Sequence, residues 1–99
     1  MLFLHGVPTS GRLWDGVRRA LGPDVETFAP DLAGFGEAPP VADPSPERLL
    51  APLLPWVDAQ THLVGQDLGG LLAAMIAARV PVASLTLSSP APGSGWRTT

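Results

Sequence analysis

The residues in this chain best suited to chemistry lie in Leu63-Val64-Gly65-Gln66-Asp67-Leu68-Gly69-Gly70. This is a short apolar run, a glycine-flanked turn, and then the start of an apolar stretch. Gly65 and Gly69 stand two residues before and two residues after Asp67. Such spacing suits a strained strand–turn–helix elbow that thrusts its central side chain out of the backbone. A carboxylate nucleophile is suited to displacement at a saturated carbon, whereas a serine in that place would attack an acyl carbon. The free N–H groups of a helix N-terminus complement a negative charge there. The same position equally suits a helix N-cap, for which aspartate is among the preferred residues. Spacing alone leaves both readings open.

An exposed elbow needs a strand to end before it and a helix to begin after it. Thr61 to Gly65 reads as the strand. Leu68, Leu71, Leu72, Met75, Ile76 and Arg79 fall at helical spacing, and the remaining faces are nearly all alanine, which predicts a helix over 68–79 buried on most sides. Upstream, Leu2-Phe3-Leu4-His5 is an apolar strand stopped by Gly6 and Pro8. Ser10 is a candidate N-cap for a helix carrying Leu13, Trp14, Val17 and Leu21, and Gly22-Pro23 stops it. Val25 to Ala29 reads as a second strand and Val82 to Ser88 as a fourth. Ser45 with Pro46 opens another helix carrying Leu49, Leu50, Leu53 and Leu54. Pro52 and Pro55 interrupt that helix, so a short, kinked or partly 3₁₀ segment is expected.

The alternation of strands and helices predicts an α/β fold: a four-stranded parallel sheet flanked by helices on both faces. In such sheets ligands bind outside the carboxyl ends of the strands, where strand order reverses. The loops His5-Gly6-Val7-Pro8 and Gln66-Asp67-Leu68 both leave carboxyl ends. If their strands are neighbours, the loops converge.

Composition narrows the alternatives. The 99 residues, read as a single domain over 1–99, carry a net charge of −3 and no basic face for nucleic acid. All six basic residues are arginine, which removes a phosphate-loop lysine and a Schiff-base lysine together. There is no cysteine, and two histidines far apart do not make a metal site, so no metal or cofactor is expected. No apolar run reaches the ~18 residues of a membrane span, and Met1-Leu2-Phe3-Leu4 lacks a basic leader. A soluble, cytoplasmic protein is the expectation.

Three segments taken together resemble the α/β-hydrolase superfamily. These are LFLHGVPTSGRLW from Leu2, APDLAGFGEAPP from Ala29 and HLVGQDLGGLLAAMIA from His62, in this order and spacing. The epoxide hydrolase and haloalkane dehalogenase-like branch shares the aspartate elbow. The resemblance covers most of Leu2 to Ala78, and it implies the N-terminal part of a partial α/β-hydrolase fold. The initial strands, the lid and the C-terminal catalytic part of the family are absent from this sequence. The resemblance further implies that Asp67 is the nucleophile and that the backbone N–H groups of Val7 and Leu68 form an oxyanion-type site. His5, Gly6, Pro8, Gly65 and Gly69 shape its loops, and the Val7–Pro8 bond is expected to be cis.

The departures from the branch narrow the substrate. Dehalogenases hold the leaving halide with an indole directly after the aspartate and often with an amide in the first loop. Here those positions are Leu68 and Val7, which offer no side-chain donor. Epoxide hydrolases activate the epoxide oxygen with tyrosines from a later lid, and this chain has no tyrosine. Neither His5 nor His62 occupies the late position of the family's base. The expected activity is ester formation on Asp67 with a small hydrophobic substrate such as an epoxide. The alternative is a truncated, inactive fragment or a partner-dependent half, with self-association through unpaired sheet edges. A receiver-like phosphorylatable aspartate is disfavoured by His5-Gly6 after the first strand and by the absence of lysine. Asp31 reads as a structural turn residue, Trp14 and Trp56 as core, and Ser88 and Ser89 as strand-end residues.

Overall fold

The computed structural model of the chain describes residues 1–7, 9–40 and 45–90. β1 (Leu2–Leu4) is three residues long and buried throughout. It lies parallel to β2 (His62–Asp67), with Leu2 beside Leu63, Phe3 beside Val64 and Leu4 beside Gly65. β3 (Ser84–Pro90) lies parallel on the other side of β2, giving the order β1-β2-β3. The strand expected over Val25–Ala29 is reduced to a single parallel bridge between Leu2 and Phe28. Phe3 N–H donates to Phe28 O and Phe28 N–H to Met1 O, each at 2.9 Å. The four-stranded expectation is therefore corrected to three strands and a bridge. β1 offers too short a ladder for more, and Val25 and Phe28 remain exposed.

Alternation along β1 divides the two faces of the sheet. Phe3 meets Trp14, their ring centroids 5.1 Å apart. Trp14 ends a 3₁₀ turn (Gly11–Trp14) whose N-cap Ser10 accepts from Arg12 N–H at 3.3 Å. α1 (Asp15–Leu21) follows and stops at Gly22, where φ is +83°. On the opposite face Leu2, Leu4 and Leu63 join Leu32, Leu49, Leu50, Leu53, Leu72 and Ile76 in one core. Helical layers thus flank both faces, and Trp14 is a core residue as expected.

The interior prolines act where their chemistry predicts. α2 (Pro46–Leu50) is a single turn and a half, and the chain continues as a 3₁₀ helix over Ala51–Trp56. The tighter helix tolerates Pro52 and Pro55 better than an α-helix would. Trp56 differs from expectation: it is 61 % exposed. It lies at the outer margin of the sheet, tilted against Phe28 with ring centroids 4.6 Å apart, rather than in the core. α3 (Leu68–Arg79) keeps its predicted bounds and buries Gly69, Gly70, Leu72, Ala73 and Ile76. Its last residue, Arg79, grips both carboxylate oxygens of Glu47 in α2. That bond holds the Glu47 carboxyl below its ordinary value and Arg79 above. Both groups are exposed, so the pair adds little stability. Among the described residues no helix is long and apolar enough to cross a membrane.

The segment after Phe28 is fastened by Asp31. Its Oδ1 accepts from Gly11 N–H at 2.7 Å and its Oδ2 from Glu37 N–H at 2.9 Å. Gly36, at φ +56°, lies directly against this carboxylate, where a Cβ would come within 2.5 Å of Asp31 Cγ. The Glu37 and Gly11 hydrogen bonds lower the Asp31 pKa. A lowered carboxyl stabilises the fold fully above its ordinary value, and that contribution is lost as pH falls through the lowered one. Asp31→Asn should reduce stability near neutrality by about 1–2 kcal/mol, because its NH₂ faces a backbone donor. It should also flatten the loss of stability between about pH 5 and pH 2, read from urea midpoints across that range.

Candidate active site

β1 and β2 are adjacent and parallel, so their carboxyl ends share one edge of the sheet. The chain leaves β1 toward the Phe28 bridge and leaves β2 toward β3, on opposite sides. The reversal of strand order falls between them, where α/β sheets open a crevice. Here the two loops meet: Val7 N–H donates to Asp67 Oδ2 at 3.0 Å. The other oxygen, Oδ1, accepts no hydrogen bond from the described residues.

The backbone of Asp67 separates the two readings left open by its spacing. An N-cap residue is extended, and its side chain accepts from the second or third N–H of its own helix. Asp67 has φ +53° and ψ −122°, and its side chain makes no capping bond. It is the only non-glycine with positive φ among the described residues. The carboxylate turns away from α3 and toward the loop after β1. Leu68, the first residue of α3, contributes an N–H of the kind that a helix start leaves unpaired.

Three glycines make this approach possible. A Cβ on Gly6 would lie 2.5 Å from Asp67 Cβ and 3.0 Å from its Oδ2. One on Gly65 would lie 2.7 Å from Gly70 Cα, and one on Gly69 would strike Leu4 O and come within 2.5 Å of His5 O. The first turn of α3 thus rests directly on the backbone of both strands.

His5 is fully buried and both of its ring nitrogens are engaged. Nε2 accepts from Leu32 N–H at 2.8 Å, so the ring proton sits on Nδ1 and is donated to Gly6 O at 2.9 Å. Phe35 packs edge-on at 5.6 Å. Gly6 O also accepts from Thr9 N–H (3.0 Å) and Thr9 Oγ1 (2.7 Å). These bonds fix the turn that aims Val7 N–H at Asp67. Thr9 went unnoticed in the sequence; a threonine three residues after the glycine, able to close a turn, was the available signal. Pro8 and the expected cis bond lie outside the described residues, as do Trp96 and the side chain of Ser89.

His62 stands at the opposite end of β2, about 16 Å from Asp67 along the strand. Its Nδ1 shares a 2.6 Å hydrogen bond with Ser84 Oγ. Neither histidine can therefore serve Asp67 as a base. Leu68 is half-buried and Val7 half-exposed, and both present apolar side chains beside the carboxylate. Ser88 lies near the carboxyl end of β3, which runs on to Pro90, and is exposed. Among the described residues no group of three histidine, cysteine, aspartate or glutamate side chains could hold a metal ion.

Residues 1–99 match the family described as the Alpha/beta hydrolase family. A haloalkane dehalogenase of Bradyrhizobium diazoefficiens is 35% identical over 89 residues, covering 82% of this chain and 28% of that protein. A pimeloyl-[acyl-carrier protein] methyl ester esterase of Aeromonas hydrophila is 34% identical, covering 82% and 33%. Among solved structures, an epoxide hydrolase of the alpha/beta hydrolases superfamily from hot-environment metagenomes superposes with a TM-score of 0.72 at 25% identity, covering 90% and 33%. The chain thus spans about a third of the length of the relatives it matches.

Unequal stability effects are expected at the elbow. Asp67→Gly should leave stability within about 1 kcal/mol of the parent, because relief of the positive φ is offset by loss of the bond from Val7. Gly69→Ala should lower it by about 3 kcal/mol or more, because backbone must move to admit the methyl group. Urea denaturation of both variants beside the parent checks the pair.

Proposed function

This chain belongs to the alpha/beta hydrolase family, and we propose that Asp67 is its nucleophile, attacking a saturated carbon of a small hydrophobic electrophile. The observation that carries this reading is the Val7 N–H bond to Oδ2 of a carboxylate held at positive φ. It anchors one oxygen and leaves Oδ1 to attack. With an epoxide, an Oδ1–carbon bond forms, the ring carbon–oxygen bond breaks, and the departing oxygen takes a proton from water. Oδ2 then becomes the ester carbonyl oxygen, with the N–H groups of Val7 and Leu68 as its donors.

Family membership alone leaves the reaction open, since the relatives include dehalogenases and methyl ester esterases. The carboxylate favours attack at a saturated carbon over acyl transfer. Val7 and Leu68, which have no side-chain donor, favour an epoxide over a halide leaving group. Water must be activated to release the ester, and both histidines are committed elsewhere. The ester therefore accumulates in this chain. A second reading, an inactive or partner-dependent half, is favoured by Leu13 in the 3₁₀ turn and by Val17 and Leu21 in α1, which are exposed apolar side chains.

Incubation with styrene oxide, followed by intact and peptide mass spectrometry, should show one equivalent bound at Asp67 and none in Asp67→Asn. 1-Bromobutane should label about tenfold more slowly, the worth of one missing donor of about 1.4 kcal/mol. No adduct with either reagent would favour the second reading. Diol formation beyond one equivalent would show that a base is present after all.

A further inference from the structure

The Gly6–Val7 peptide is one resonant unit with a polar group at each end. Its N–H, on Val7, donates to Asp67 Oδ2 at 3.0 Å. Its C=O, on Gly6, accepts from three donors: His5 Nδ1–H at 2.9 Å, Thr9 N–H at 3.0 Å and Thr9 Oγ1–H at 2.7 Å. A carbonyl oxygen has two lone pairs, so this one is saturated. Hydrogen bonds accepted at the oxygen draw electrons from the nitrogen, which makes the N–H of the same amide a stronger donor. The groups gathered on Gly6 O thus act on Asp67 through the peptide that touches it. They are not equivalent. His5 is buried and tied to Leu32 as well. Thr9 N–H closes the turn by itself, as the bond between first and fourth residues of a β-turn. The hydroxyl makes the shortest of the three bonds and is needed for neither purpose, although Thr9 is exposed and water is at hand for it. Its distinct effect falls on the Val7 N–H.

We propose that Thr9 is a positioning residue whose hydroxyl sets the donor strength of Val7 N–H toward Asp67 Oδ2, and that this strength serves breakdown of the Asp67 ester rather than its formation. The inference rests on the reading of Asp67 as the nucleophile. In the carboxylate, negative charge is shared between Oδ1 and Oδ2. Alkylation at Oδ1 leaves Oδ2 a neutral carbonyl oxygen, so a stronger donor gains nothing in that step. Addition to the ester reverses the balance. The incoming nucleophile bonds to Cγ and the carbonyl electron pair moves onto Oδ2, which then carries the full negative charge. A donor already aimed at Oδ2 is worth most at that point. Collapse returns the pair and breaks the Cγ–Oδ1 bond. The alcohol departs with Oδ1 and takes up the proton that the nucleophile sheds.

Hydroxylamine is a nucleophile strong enough to cleave the ester without a protein base, and it gives the Asp67 hydroxamate. The full chain, Thr9→Val and Thr9→Ser are each labelled with styrene oxide, then treated with hydroxylamine and followed by mass spectrometry. Adduct formation should run at the same rate in all three. Losing an oxyanion donor outright costs ~10²–10³ in rate, and one hydrogen bond alters its neighbour by ~10–30%. Cleavage should therefore slow about threefold in Thr9→Val and recover in Thr9→Ser. Before any reagent is added, the Gly6 carbonyl carbon and Val7 amide nitrogen resonances should move upfield in Thr9→Val and return in Thr9→Ser. Normal labelling with unmoved resonances, or with equal cleavage in all three, would overturn the proposal alone. So would formation and cleavage slowed alike, the mark of a loosened loop. No adduct in the parent chain would overturn the proposal together with the reading of Asp67 as the nucleophile.

Discussion

α3 can sit on the carboxyl ends of β1 and β2 only because no side chain stands between them. Gly65 and Gly69 put the first turn of the helix in backbone contact with both strands, and Gly6 lets the loop after β1 reach the Asp67 side chain. If any of the three carried a methyl group, the helix would lift. The carboxylate would then lose the Val7 donor sixty residues away in sequence. The same seating lays Leu72 and Ile76 over Leu4 and Leu63, so the site and the core rest on one close contact.

Around that contact, polar residues that resemble catalytic groups are spent on holding backbone in place. His5 closes a bond to Leu32 on one side and to Gly6 on the other. Asp31 ties Gly11, at the start of the helical turn before α1, to Glu37 at the far end of its own loop. Between them they lock the loop after β1 and the loop after Phe28 into one piece. Groups satisfied in this way rigidify their surroundings and are poor candidates for proton transfer. Asp67 is the exception: one of its oxygens is anchored and the other accepts no hydrogen bond from the described residues.

Elements with strong local signals were legible in the sequence. α3 begins and ends where its leucine spacing predicts, and Pro52 and Pro55 convert α2 into a 3₁₀ helix as ring sterics require. The convergence of the two loops also followed from topology, given adjacent strands. What depends on neighbours was not legible. The Val25–Ala29 strand has good local propensity, yet it finds only a three-residue partner and contributes one bridge. Trp56 sits on an apolar pattern that cannot show that its segment runs to the sheet margin. Whether Asp67 caps its helix or turns from it is a matter of two dihedral angles, which residue spacing does not encode.

The energetics of Asp67 explain why such an elbow needs the rest of the fold. A non-glycine residue at positive φ costs about 1–3 kcal/mol, and declining the cap forgoes about 1 kcal/mol more. The charge-assisted bond from Val7 returns about 1.5–3 kcal/mol, so the elbow by itself is close to neutral. It has no local well deep enough to hold it. The conformation persists because relaxing it would shift α3, and α3 is held by buried leucine and isoleucine side chains worth about 2–5 kcal/mol each on truncation. The core therefore fixes the carboxylate, and a reactive geometry unstable in isolation becomes the one the packed chain must adopt.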